Sequence, residues 1–308
     1  MPEPKRSAQR KPSSPPQSVE VVDPRWLLKM LGLAIVAAVI CGYLAMGFLV
    51  RQGAWQLVLH PTRNANSGTG LVSEKVEFGP DAAGKPQLHG EWLAADASSP
   101  RAAYAVLYLR GTDGQLDSAD GSQIATLRQQ GLNVLAFDYR GYGASAERPH
   151  PEEQRMLEDA TAAWNYLTGL RHIDPRHILV FGNGIGVSLG AQLLANSGPG
   201  AALIGYNADS SVVERVRHDG RVRLYPLALV FHDSFSLEPL KHLTIPKLLY
   251  TVGPLDTQRI AAYASATDPK LTVEVPSHEA AAEEKALKRF LDSLLPGAPI
   301  PILTPNTK

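Results

Sequence analysis

The chain has a single cysteine, Cys41, which excludes an intrachain disulfide and a thiolate metal cluster. It has no excess of either charge. Its 30 basic residues balance 30 acidic ones, and no basic stripe is interleaved with aromatics, so nucleic acid is not an expected partner. Its histidines show no metal-ligand spacing. His172 and His177 are five apart but flank Asp174-Pro175, a turn, and His60, His89, His150, His218, His232 and His242 are scattered. No metal or other cofactor is expected. Two further absences matter more. The run Met30 to Val50 contains no charge, and the glycine-framed turn Gly182-Asn183-Gly184-Ile185-Gly186 contains no serine.

About 20 apolar residues suffice to cross a bilayer, and Met30 to Val50 meets that length. Lys5, Arg6, Arg10, Lys11, Arg25 and Lys29 precede it, so the positive-inside rule puts the N-terminus in the cytoplasm. The chain beyond Arg51 is then periplasmic or extracellular. A cleaved signal peptide is the alternative, but its apolar region is usually only about 7–15 residues. A lipoprotein signal is disfavoured because Val39-Ile40 precede Cys41 where small residues would be wanted.

Residues 1–25 are Pro-, Ser- and Lys/Arg-rich and are expected to be a disordered basic tail; 26–50 form the anchor; 296–308 are a Pro-rich tail. The domain spans 55–295, with 207–243 as a candidate small cap. Within it, short apolar runs alternate with helical stripes. Ala105–Leu109, Val134–Phe137, Ile178–Phe181, Ala201–Gly205, Lys247–Val252 and Leu271–Val275 read as strands. Met156, Leu157, Ala160, Ala163, Trp164 and Leu167 share one helical face. Such alternation implies right-handed βαβ crossovers and a mostly parallel sheet.

His60-Pro61-Thr62-Arg63, Leu109-Arg110-Gly111-Thr112-Asp113-Gly114 and Phe137-Asp138-Tyr139-Arg140-Gly141-Tyr142-Gly143-Ala144-Ser145 occur in that order before the glycine turn. Together these motifs resemble the α/β-hydrolases, in particular the membrane-anchored serine aminopeptidase and lysophospholipase-like group. The resemblance covers roughly Leu57 to Leu294. It implies the α/β-hydrolase fold, a mostly parallel sheet with helices on both faces, here preceded by one transmembrane helix. It also implies that Gly182–Gly186 is a nucleophile elbow with Gly184 in place of the catalytic serine. Arg110 stands where the group usually has His. The backbone N–H groups of Thr112 and Ile185 would form the oxyanion hole, Asp256 would be the acid and His278 the base.

A glycine at the elbow keeps the turn and removes the nucleophile. Serine there is held in a strained backbone at a cost on the order of 1–3 kcal/mol, which glycine avoids. Ser188 lies one helical turn on, about 5.4 Å away, too far to substitute. Asn183 is not an acyl acceptor, and Ser210 and Ser211 read as pocket-rim residues. The expected function is therefore that of a pseudo-hydrolase, a membrane-tethered binding or scaffold component. The alternative is a weak ester or amide hydrolase in which Asp256 and His278 activate water or an unidentified nucleophile. A dinucleotide site fits poorly, because Val187 stands where G-x-G-x-x-G needs its last glycine.

Overall fold

The computed structural model describes residues 23–295 other than 65, 148, 254–255 and 276–279. Residues 1–22 of the N-terminal tail, the tail 296–308 and His278 lie outside the described residues, whereas Pro24 and Arg25, counted from sequence with the tail, already belong to a helix. The chain divides into two compact units, the first ending at Phe48 and the second starting at Leu49.

The first unit contributes most of α1 (Pro24–Gly53). The Asp23 carboxylate accepts the Arg25 N–H at 2.9 Å, which satisfies one of the free donors at the helix start. Pro24 costs nothing there, since the first turn lacks acceptors for its N–H. The helix has no buried residue, and its leucines and isoleucines are exposed, as an anchor's would be. It is long and apolar enough to cross a membrane.

In the second unit a short 3₁₀ turn (Ala54–Leu57) leads to β1 (His60–Pro61), β2 (Glu74–Pro80), β3 (Pro86–Leu93), β4 (Ala105–Leu109) and β5 (Asp113–Gly114). Next come α2 (Ser118–Gln129), β6 (Asn133–Asp138), α3 (Glu153–Asn165), β7 (Ile178–Asn183), α4 (Gly186–Ser197) and β8 (Ala202–Tyr206). After β8 the chain forms α5 (Val212–His218), α6 (Leu227–Val230) and a 3₁₀ turn (Glu238–Lys241). It ends with β9 (Lys247–Val252), α7 (Thr257–Ser265), β10 (Lys270–Val275) and α8 (Ala280–Leu294). The main sheet has the order β10-β9-β8-β7-β4-β6-β3-β2, and β1 pairs with β5 apart from it. Pairing is parallel from β10 through β6, while β3 is antiparallel to both its neighbours. The mostly parallel sheet expected from the sequence is therefore present.

The central strands β4 and β8 are buried at every residue, which is why they read as unbroken apolar runs. Their side chains still alternate. Leu107, Leu109, Leu135, Phe137, Val180 and Leu203 join the core under α3 and α4, with Met156, Ala160, Ala163 and Leu189. Val106, Tyr108, Val134, Ala136, Leu179 and Ile204 join the opposite core, with Ile124 and Leu127 of α2 and Phe290 and Leu291 of α8. A fully buried large apolar side chain contributes about 1.5–3 kcal/mol, so these two layers rather than loop contacts fix the strand ends.

Leu132, in the turn between α2 and β6, is buried. The apolar run 225–231 covers the domain only in part. Val230 and Phe231 are buried, but Leu229 is exposed.

Candidate functional site

The chain leaves β4 toward β6 on one side of the sheet, and β7 flanks β4 on the other. In open α/β sheets ligands bind where the strand order reverses, at the carboxyl ends of the strands. Two loops occupy that point here, 110–114 after β4 and 183–186 after β7.

The second loop is almost no loop. β7 ends at Asn183, α4 begins at Gly186, and Gly184 turns the chain between them with φ +56°. A side chain rarely adopts that angle and glycine does so freely. The Gly184 N–H donates to the Tyr206 carbonyl at 3.0 Å, and its own carbonyl accepts from Asp209 N–H at 3.2 Å. The flanking glycines are needed for closeness. A Cβ on Gly182 would overlap the Gly186 backbone, and one on Gly186 would overlap the Leu109 carbonyl. Position 184 differs, because a Cβ there would lie 3.8 Å from Gly111 Cα, an ordinary contact. The turn keeps space for a side chain that this sequence does not have.

The first loop is tied down from several directions. His60 N–H and the Tyr142 hydroxyl both donate to the Thr112 carbonyl, at 3.0 and 2.9 Å. Thr62 N–H donates to the Gly114 carbonyl at 2.9 Å. Arg110 is buried beneath it, with its guanidinium 3.4 Å from both Asp120 and Asp138 and donating to the Asp113 carbonyl at 2.8 Å. Burial pushes the Asp120 carboxyl up, and the Arg110 charge opposes that rise. Asp138 also accepts the Leu116 N–H at 2.7 Å. Arg110 thus neutralises two buried carboxylates and holds the loop; it is an internal brace of the site. The N–H groups of Thr112 and Ile185 have no acceptor among the described residues.

No family model matches the chain. It is 35% identical over 180 residues to an uncharacterized protein of Mycobacterium tuberculosis, covering 56% of this chain and 61% of that one. It is 30% identical over 165 residues to the alpha/beta hydrolase domain-containing protein WAV2 of Arabidopsis thaliana, covering 47% and 53%. The chain therefore spans less than two thirds of the length of either relative. Among solved structures it is similar to a Pyrococcus furiosus esterase, with TM-score 0.57 and 16% identity over 77% of this chain and 98% of that one. The chain has the α/β-hydrolase fold.

In an α/β-hydrolase fold the acid and the histidine come after late strands. β9 and β10 are neighbours with Val252 opposite Val275, and Gly253 N–H donates to the Val275 carbonyl at 2.9 Å. The connections carrying Asp256 and His278 thus leave adjacent strand ends, and His278 itself lies outside the described residues. Asp256 is the N-cap of α7. Its carboxylate accepts the Arg259 N–H at 2.7 Å and the Ser210 hydroxyl at 3.1 Å, and lies 3.3 Å from the Arg259 guanidinium. Burial raises this carboxyl, but those hydrogen bonds and the Arg259 charge outweigh it and leave it below the usual range.

The candidate serines are engaged elsewhere. Ser188 is buried, donating to the Ser236 carbonyl at 2.8 Å and accepting from Gln192 at 3.1 Å. The Ser211 hydroxyl is 3.0 Å from the Asp209 carboxylate. Asn183 donates to Gln123 Oε1 at 3.4 Å, and the Tyr108 hydroxyl lies between Gln123 and Asp120. Sequence reasoning missed this Tyr108, Asp120 and Gln123 group. The signal for it was Asp117-x-x-Asp120, a capping box that places a carboxylate on the first turn of α2. It also missed Glu153, whose carboxylate accepts the N–H groups of Ser234 at 2.6 Å and Phe235 at 2.9 Å. These bonds define one wall of a cavity of about 560 Å³ that Ser210, Ser236, Glu238 and Gln258 also line. That volume is within the range of small-molecule sites.

Proposed function

We propose that this is a membrane-anchored α/β-hydrolase-fold protein that binds a ligand or partner through its exported domain and does not hydrolyse it. One observation carries the reading. Gly184 turns the chain between β7 and α4 at φ +56° with room for a side chain and none present, as a nucleophile elbow without its serine would. Supporting it, Asp256 is engaged as a helix cap and ion-pair partner, and Ser188 is buried in a structural bond. The N–H groups of Thr112 and Ile185, which have no acceptor among the described residues, suit a carbonyl or carboxylate oxygen, which they would bind without a hydroxyl to attack it. α1 would place the domain outside the cytoplasm, with the basic N-terminal segment inside.

The competing reading, water activated by Asp256 and His278, has the same two N–H donors in its favour. It requires Asp256 to exchange its Arg259 and Ser210 partners for the histidine.

Treating the full-length protein with an active-site fluorophosphonate tests the proposal. No adduct is expected in the intact mass. Stoichiometric labelling that disappears on Ser188→Ala or Ser210→Ala would overturn it.

A further inference from the structure

The connection between β8 and β9 turns an unusual set of side chains outward. Over 221–229 it exposes Arg221, Arg223, Leu224, Pro226, Ala228 and Leu229, while Val222, Val230 and Phe231 hold the stretch in the core. Leu224 is 73% exposed and Leu229 63%. Arg221 shares the Asp219 carboxylate at 3.0 Å, and Arg223 has no ion pair among the described residues. Leucines beside arginines form a surface with an apolar body and a cationic rim.

Its location is set by one contact. The Arg51 guanidinium donates to the Leu229 carbonyl and to His232 Nε2, each at 3.3 Å. Arg51 is also the first charged residue after the run Met30 to Val50. If that run crosses a bilayer, chain geometry alone keeps the Arg51 Cα within about 4 Å of its end. An arginine at that position sits at headgroup level, and its bond to Leu229 brings the 221–229 surface to the same level. Trp55, four residues on, stacks on His150 with ring centroids 5.4 Å apart, adding a side chain typical of membrane interfaces.

We infer that residues 221–229 are a membrane-contacting surface, with Leu224 and Leu229 entering the boundary of headgroups and acyl chains and Arg51, Arg221 and Arg223 meeting lipid phosphates. The inference rests on α1 being an anchor, and the occupant is the bilayer that holds α1.

The test uses full-length protein in phosphatidylcholine vesicles with and without phosphatidylglycerol, carrying a fluorophore on one cysteine and a lipid-borne quencher. The native Cys41 reports the anchor, Leu229→Cys in a Cys41→Ser background reports the surface, and Ile260→Cys on α7 is the exposed control. Strong quenching at Cys41 is expected, with quenching at Leu229→Cys about twofold or more above the control. Adding Arg221→Glu and Arg223→Glu should weaken the surface contact in anionic vesicles by about fivefold per arginine. Quenching at Cys41 with Leu229→Cys equal to the control would overturn the surface and leave the anchor standing. An unquenched Cys41 would overturn both.

Discussion

At the elbow, Gly182 and Gly186 leave no space for a Cβ, and Gly184 takes a backbone angle that a nucleophile would have to endure. At the position proposed for the acid, the Asp256 side chain is 45% exposed, caps α7 and pairs with Arg259. The 182–186 turn and the 110–114 loop are made of backbone packed against backbone, with Arg110 bracing the second. The acid side is made of side chains, and they have found other partners. A turn built from backbone resists sequence change because its shape is coupled to the sheet, whereas a hydroxyl can be lost by one substitution without disturbing anything around it. On the proposed reading, that difference would let a hydrolase-like frame persist around a position with no nucleophile.

The largest expected effect breaks the braced half. Arg110→Ala would leave Asp120 and Asp138 buried without their cation, and unfolding titrations should show a loss of about 3–5 kcal/mol. Within the elbow, Gly186→Ala forces a Cβ into the Leu109 carbonyl and should cost about 3 kcal/mol, whereas Gly184→Ser meets no overlap and should cost only about 1 kcal/mol of backbone strain. Equal losses at the two positions would show that position 184 is not the tolerant one. On the other half, Asp256→Ala removes a helix cap and should lower stability by about 1 kcal/mol in the same assay.

The smallest effect is a pH slope. Burial pushes the Asp233 carboxyl, which accepts the Glu153 N–H at 3.2 Å, up to about 6. Because its folded-state value lies above the ordinary 3.8, its contribution is fully present below that value and is lost as pH rises through about 6. Asp159, also pushed up to about 6 by burial, contributes a slope of the same sign. Thermal melts from pH 4 to pH 7 should therefore fall for the natural sequence and fall less for Asp233→Asn.

The sheet was legible because β4 and β8 are buried on both faces and read as unbroken apolar runs, and β7 and β9 carry apolar cores of three or more residues. The glycine turn was legible because Gly182 and Gly186 are forced by contact distance and Gly184 by its positive φ. The roles of Arg110 and Glu153 were not. Arg110 reads as a departure at the oxyanion loop, and only the fold brings Asp120 and Asp138, 10 and 28 residues later, to within 3.4 Å of it. The run 225–231 reads as uniformly apolar, and whether each residue faces core or solvent depends on a four-residue helix, α6, that has no periodicity to detect.

The most direct measurement is the turnover of an activated ester by the full-length natural protein compared with its His278→Ala variant. Both should match the uncatalysed background, since the elbow carries no hydroxyl and Asp256 is held by α7 and Arg259. Turnover by the natural protein that His278→Ala abolishes would contradict this, and would mean that acid and histidine still work together beside an empty elbow.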